Sequence, residues 1–196
     1  MRKTFALLLL LLAFTEPAEA AWEARITAFD RDRIERLAGS RAEGLAAAEA
    51  AKPAIRTTIH NVVARQAGPI SAQALTGVWR CRTMKLGGIA SAIVYDWFTC
   101  RVRTNKYGLY FEKISGSQHM AGYLEDYGDG RMILLGAMSV KKDHPRPYSG
   151  ANPGVGVASS SSDIVGLVSS LGPGHARIEF PYSLIESDFD VVELRR

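Results

Sequence analysis

Acid–base chemistry needs carboxyl or imidazole groups close enough for their surroundings to push their pKa values apart. The best such set in this chain is Glu186, Asp188 and Asp190, with His175 or His119 as partner. These acids lie just before the last apolar run, where Asp and Ser normally shape a turn. They read as turn chemistry rather than as a catalytic group. Serine nucleophiles have no better support: Ser159–Ser162 is low in complexity, and no G-x-S-x-G occurs. Gly154 and Gly156 are not followed by the Gly-Lys-Ser/Thr that completes a phosphate loop. Cys81 and Cys100 are not a C-x-x-C pair, and nothing around the four histidines prompts a metal or haem. We therefore assign no catalytic residue, no metal site and no cofactor from the sequence.

The N-terminus is informative in another way. Arg2 and Lys3 precede an apolar run that includes six leucines, Leu7 to Leu12, and Ala18-Glu19-Ala20 follows. A basic start, a short apolar run and a small-residue exit describe a secretory signal, with cleavage expected after Ala20. The run is too short to span the hydrocarbon of a bilayer as a helix, and no later segment is long and apolar enough to do so. A periplasmic protein is expected, with no transmembrane segment in the mature chain. The 176 residues left after 20 of the 196 are removed keep the formal charge of +4, because the signal holds two basic and two acidic residues. That mild excess suits anionic surfaces without arguing for nucleic acid.

In an oxidising compartment an even pair of cysteines is read as a disulfide. No histidine lies between Arg65 and Arg103 to make either thiol a nucleophile. If Cys81 and Cys100 face each other across antiparallel strands, opposed residues sum to 181, so Trp79 meets Val102, Thr83 meets Phe98 and Lys85 meets Asp96. Alternation then puts Trp79, Phe98 and Val102 on the cysteine face, towards a core. The other face carries Arg80 directly opposite Arg101, with Arg82 and Arg103 nearby. Like charges so placed are destabilising. Two remedies stand open: a salt-bridge lattice using Glu112 and Glu193, or an anion site for phosphate, carboxylate or lipid headgroups formed by Arg80, Arg82, Arg101 and Arg103.

The elements that must position these residues come in two textures. Residues 21–70 read helical, with Phe29, Ile34, Leu37 and Ala38 at helical spacing, Asp30 as N-cap and a break at Gly39-Ser40. Pro53 opens a second helix with the stripe Ile55, Ile59, Val62 and Val63; His60 falls near that stripe in a structural role. Beyond residue 70, short Val/Ile/Tyr/Phe/Trp-rich runs alternate with turns such as Asn105–Gly108 and Tyr127–Gly130. Eight strands are expected: Leu75–Met84, Ile93–Arg103, Gly108–Ile114, His119–Glu125, Met132–Ala137, Ile164–Val168, Ala176–Phe180 and Val191–Arg195. The fold class is α+β, with a signal peptide over 1–20, a helical segment over 21–70 and an eight-stranded antiparallel β-barrel over 71–196. A β-sandwich is the alternative. Residues Ser139–Ser162 form a long Gly/Ser-rich insert expected to be a mobile loop. The last strand is expected to close onto the first.

Gly77-Val78-Trp79 resembles the G-x-W signature of lipocalin-like (calycin-like) barrels. That resemblance implies a Trp plugging the closed end with a late Arg packed over it, a place for Arg177 or Arg195. The chain departs from the pattern by placing two helices before the barrel rather than one after it. Four further stretches resemble a family of exported proteobacterial proteins catalogued as a domain of unknown function. They are Leu75–Arg82, Trp97–Arg101, Phe111–Gln118 and Glu186–Leu194. That family implies no activity or site to carry over.

Together these readings favour a non-enzymatic barrel that binds an apolar or anionic small molecule or a lipid. Its calyx would be lined by Trp79, Phe98, Val102, Phe111, Ile178 and Phe180. An envelope-protein interaction module is the alternative. An open interior would favour the first, and a filled one the second.

Overall fold

The computed structural model describes residues 22–140, 143, 146–151 and 162–196. The signal segment and much of the 139–162 insert lie outside the described residues.

The chain runs α1 (Ala28–Glu35), α2 (Leu37–Ala48) and α3 (Pro53–Ile59), which continues through one π-helical turn, His60–Ala64. Then come, among the described residues, a short α4 (Ala72–Leu75) and nine strands: β1 (Gly77–Leu86), β2 (Ala92–Val94), β3 (Phe98–Asn105), β4 (Gly108–Lys113), β5 (Gln118–Asp126), β6 (Met132–Val140), β7 (Asp163–Gly172), β8 (His175–Pro181) and β9 (Phe189–Arg195). The strands pair antiparallel in the order β2-β1-β3-β4-β5-β6-β7-β8-β9, and β9 also pairs with β1 to close an eight-stranded barrel, with β2 as an extra short strand. The α+β class and the barrel expected from the alternating strands are therefore what the chain forms.

One expected strand is split. Ile93–Arg103 breaks into β2 and β3 because three residues, Tyr95–Trp97, stand opposite two on β1, Arg82 and Thr83. One extra residue on one strand is a β-bulge, and it kinks the strand at the barrel rim. The register also differs from the expected one. Trp79 lies opposite Cys100 and Cys81 opposite Phe98, so opposed residues sum to 179. The disulfide Cys81–Cys100 forms all the same, on the diagonal, with Cα atoms 5.8 Å apart. A slip of two residues leaves every side chain on its expected face, which is why the interior assignment survives the error. Arg80 is consequently opposite Thr99 rather than Arg101, and Lys85 faces Ile93 and Asp190 rather than Asp96.

Two cores result from the alternation. Inside the barrel pack Trp79, the disulfide, Val102, Phe111, Ile178, Phe180, Val192 and Leu194, with Phe98 partly buried against them. Outside, the helices cover one wall: Ile34, Leu37, Ala48, Ile59, Val62 and Val63 pack on Met84, Leu86, Ile133, Leu135, Val165, Leu167, Phe189 and Val191. Strand residues of the helix-covered wall are thus apolar on both faces, as a doubly covered sheet requires. At Gly44, α2 comes so close that a Cβ would fall 2.8 Å from the Cβ of Phe189.

The helical boundaries differ from the expected ones in two places. Thr27 caps α1, its hydroxyl accepting from the Asp30 N–H; Asp30 is instead buried, bound by Arg33 and by the Tyr148 hydroxyl. The helix breaks at Arg36 (φ −91°, ψ 12°), not at Gly39-Ser40. Keeping Ser40 helical lets its hydroxyl donate to the Asp188 carbonyl and accept from the Tyr182 N–H, tying α2 to the β8–β9 loop. His60 is exposed and bonded to Glu49, off the apolar stripe. Within the insert, Tyr148 is buried and hydrogen-bonded to the start of α1, so this part of the segment is anchored.

Candidate functional site: a tyrosine groove and an arginine ladder on the outer wall

The six interior residues expected to line a calyx are brought together, but as packing. Phe111 is fully buried, Val102 and Ile178 are 1 % exposed, and Trp79 and Phe180 are 3 % exposed. Small barrels can be filled by their own side chains in this way. One end is plugged: the Trp79 indole donates to the Leu75 carbonyl, and the Arg196 guanidinium lies 3.9 Å from the ring centroid. The late arginine over the G-x-W tryptophan is therefore Arg196, not Arg177 or Arg195. Arg177 points to the outer wall, where it donates to the carbonyls of Val62, Val63 and Arg65 and caps the end of the α3 helical run. Arg195 bonds Glu193.

At the other end, the β8–β9 loop crosses the barrel mouth. Here the three acids of the expected turn separate. Asp188 accepts from the Gly88 N–H, Glu186 pairs with Lys85, and Asp190 is buried and accepts from the Ser187 hydroxyl. Burial pushes the Asp190 carboxyl up to about 6. Burial opposes the charge of Lys85, yet its hydrogen bond to Glu186 and the nearby Asp190 charge outweigh that and hold it above its usual value. Neither histidine joins these acids: His175 is bonded to Glu193 and His119 to the Gly116 carbonyl. Among the described residues no cluster has the makings of a metal site.

The four arginines of the β1–β3 face do not face one another as expected. Arg101 and Arg103 both donate to Glu112, at 2.8 and 3.1 Å. Arg82 donates to the fully buried Glu193 at 2.6 Å. Burial alone would raise both carboxyls, but these hydrogen bonds and charges outweigh it and leave Glu112 and Glu193 below the usual range. Arg80 and Arg82 lie over the Trp97 ring, 4.9 and 4.6 Å from its centroid. Trp97 sits in the bulge before β3, so the kink that splits the expected strand also supplies the platform for two guanidinium groups.

Beside this ladder lies a groove that single-strand reasoning missed. It has a volume of about 530 Å³ and is walled by the β3–β4 turn, the outer faces of β4 and β5, Leu135, Arg25 and the Arg146–Tyr148 stretch. Tyr110 and Tyr123 stand directly opposite in the β4–β5 ladder, with ring centroids 5.0 Å apart. Tyr107 meets Tyr123 edge-on at 6.4 Å. Cross-strand aromatic pairs of this kind stiffen a sheet face and present flat apolar surface. The Asn105 carboxamide orders the turn: its oxygen accepts from the Tyr107 N–H and its nitrogen donates to the Tyr123 hydroxyl at 3.4 Å. Cations surround the rings. The Arg103 guanidinium is 5.4 Å from the Tyr110 centroid, and the Lys106 ammonium is 4.8 Å from that of Tyr107. Arg25, which pairs with Glu125, and Arg146 complete the rim. Burial, aided by the Glu112 charge, raises the Tyr110 phenol, so it stays a neutral donor. The arrangement offers aromatic faces, phenol hydroxyls and positive charge to one bound molecule. The period-two run Leu109-Tyr110-Phe111 and the partner Tyr123 were visible in the sequence as strand residues. What was missing was the pairing that puts Tyr110 and Tyr123 side by side.

No curated protein and no solved structure matches this chain. A family model does, over residues 22–194, which spans the helices and the whole barrel, and its description is Domain of unknown function (DUF4893). The chain belongs to that family.

Proposed function

We propose that this is an exported, periplasmic binding protein whose ligand sits in the tyrosine groove rather than inside the barrel. The ligand is a small anionic molecule with a flat or ring-shaped apolar part. The observation that carries the reading is the Tyr107–Tyr123–Tyr110 cluster, flanked by Arg103 and Lys106, in an open groove of about 530 Å³. A volume of that size suits a small molecule. Its lining supplies stacking and charge recognition, and the described part of it holds no paired nucleophile and base. The packed interior supports placing the ligand outside. Export is supported by the Arg2–Ala20 signal pattern and by the disulfide.

The test is to recover the protein from the periplasm and measure bound small molecules by native mass spectrometry. The wild type should carry a mass that the Tyr110→Ala/Tyr123→Ala variant has lost. A bound mass retained by that folded variant would place the ligand elsewhere.

A further inference from the structure

On the outer wall, β1 and β9 set Arg80 directly opposite Arg195, with both side chains exposed. Such like-charge pairs are normally relieved by a carboxylate. Glu193, the acid bonded to Arg195, is already engaged by three partners. One of its oxygens accepts from Arg82 at 2.6 Å; the other accepts from Arg195 at 2.7 Å and is 2.8 Å from His175 Nε2. Glu112 is engaged by Arg101 and Arg103. Five guanidinium groups thus face two carboxylates, which leaves three positive charges on one wall. Arg80 donates to no carboxylate among the described residues. It is held over the Trp97 ring, with Arg82 over that same ring. Stacking fixes the plane of a guanidinium while leaving its N–H groups at the edge free to bind. Thr99 stands opposite Arg80 in register and adds a hydroxyl to the same face.

We propose that this wall is an oxyanion site: Arg80, with Arg82 and Arg195 beside it over Trp97, takes a phosphate or carboxylate group. It is separate from the tyrosine groove and does not depend on it. The shared chemistry is a single tetrahedral or planar oxyanion, supplied either by a free anion or by the headgroup of an anionic lipid. Of the four arginines on the β1–β3 face, Arg101 and Arg103 are already committed to Glu112, so the site is centred one strand away, on β1.

The mature protein is titrated with inorganic phosphate, against chloride at matched ionic strength, and followed by thermal unfolding and tryptophan fluorescence. Phosphate should raise the melting temperature and perturb the fluorescence of Trp97. Arg80→Gln, an exposed substitution, should weaken the apparent Kd about tenfold, the expected loss for one charge-assisted contact. Arg56→Gln, the same charge change on the helical face, should leave it within about twofold. A parallel arm measures co-sedimentation with phosphatidylcholine vesicles with and without phosphatidylglycerol. Arg80-dependent binding to the anionic vesicles without a phosphate response assigns a headgroup; a phosphate response without vesicle binding assigns a soluble anion. Equal melting in phosphate and chloride with no vesicle binding would overturn the proposal, as would any response that survives Arg80→Gln unchanged.

Discussion

The guanidinium of Arg196 lies over the indole of Trp79 at the start of β1, 3.9 Å from its centroid, and donates to the carbonyls of Leu75 and Thr76. One contact therefore locks the seam where the barrel closes and plugs its end. Removing it with Arg196→Ala should cost about 1–2 kcal/mol, from the cation–π contact and the charged hydrogen bonds together. Removing Val191–Arg196 deletes most of β9 and should abolish cooperative unfolding. Chemical denaturation followed by tryptophan fluorescence checks both. A truncated chain that melts like the full one would mean that the seam is dispensable.

The Cys81–Cys100 bridge ties β1 to β3 across a diagonal. A loop of this length should contribute about 3 kcal/mol, chiefly by restricting the unfolded chain. The double change to serine should lower stability by that order, and thiol labelling of the unfolded, unreduced protein should find no free cysteine. Two labelled thiols would contradict the bridge.

Asp190 gives the barrel mouth a pH dependence of definite sign. Its folded pKa, about 6, lies above the ordinary value of 3.8. The fold therefore favours the protonated acid. The stabilisation is fully present below the unfolded value and is lost as pH rises through about 6. At about 1.4 kcal/mol per pKa unit, the loss is up to roughly 3 kcal/mol. Asp190→Asn should flatten the fall in stability between about pH 4 and pH 6, as read from urea midpoints. A slope unchanged by that substitution would assign it to another group.

The export proposal makes its own prediction. Protein secreted from its full-length gene should begin at Ala21, as read from its intact mass. A periplasmic product that keeps Met1–Ala20, or a product confined to the cytoplasm, would remove the compartment from the account.

Much of the barrel was legible because alternation is a one-dimensional signal. Trp79, Phe98, Val102, Phe111, Ile178 and Phe180 could be assigned to the interior from period two alone. Glu112 and Glu193 could be nominated to neutralise arginines because each sits on the same face as its partners. Details that depend on three dimensions were not legible. The bulge at Tyr95–Trp97 inserts one residue that no propensity marks, the diagonal disulfide puts Arg80 opposite Thr99 rather than Arg101, and the β1–β9 register sets Arg80 opposite Arg195. The helix breaks at Arg36 rather than at Gly39-Ser40, and Ser40 stays helical with partners on the β8–β9 loop 142 and 148 residues away. The groove escaped because Tyr107, Tyr110 and Tyr123 lie on two strands and a turn, and only the β4–β5 register unites them.

The most direct test of the central claim, that the ligand site is the outer groove, is a calorimetric titration with phenyl phosphate, which joins a ring to an oxyanion. It is run on the wild type, on Tyr110→Ala/Tyr123→Ala and on Arg80→Gln. The account expects saturable binding that weakens about tenfold or more when the two rings are removed, since each stacked aromatic contact is worth about 0.5–1.5 kcal/mol beyond its buried area. Arg80→Gln separates the groove from the neighbouring oxyanion site and should leave the ring-dependent part intact. No saturable binding, or binding indifferent to both tyrosines, would contradict the account.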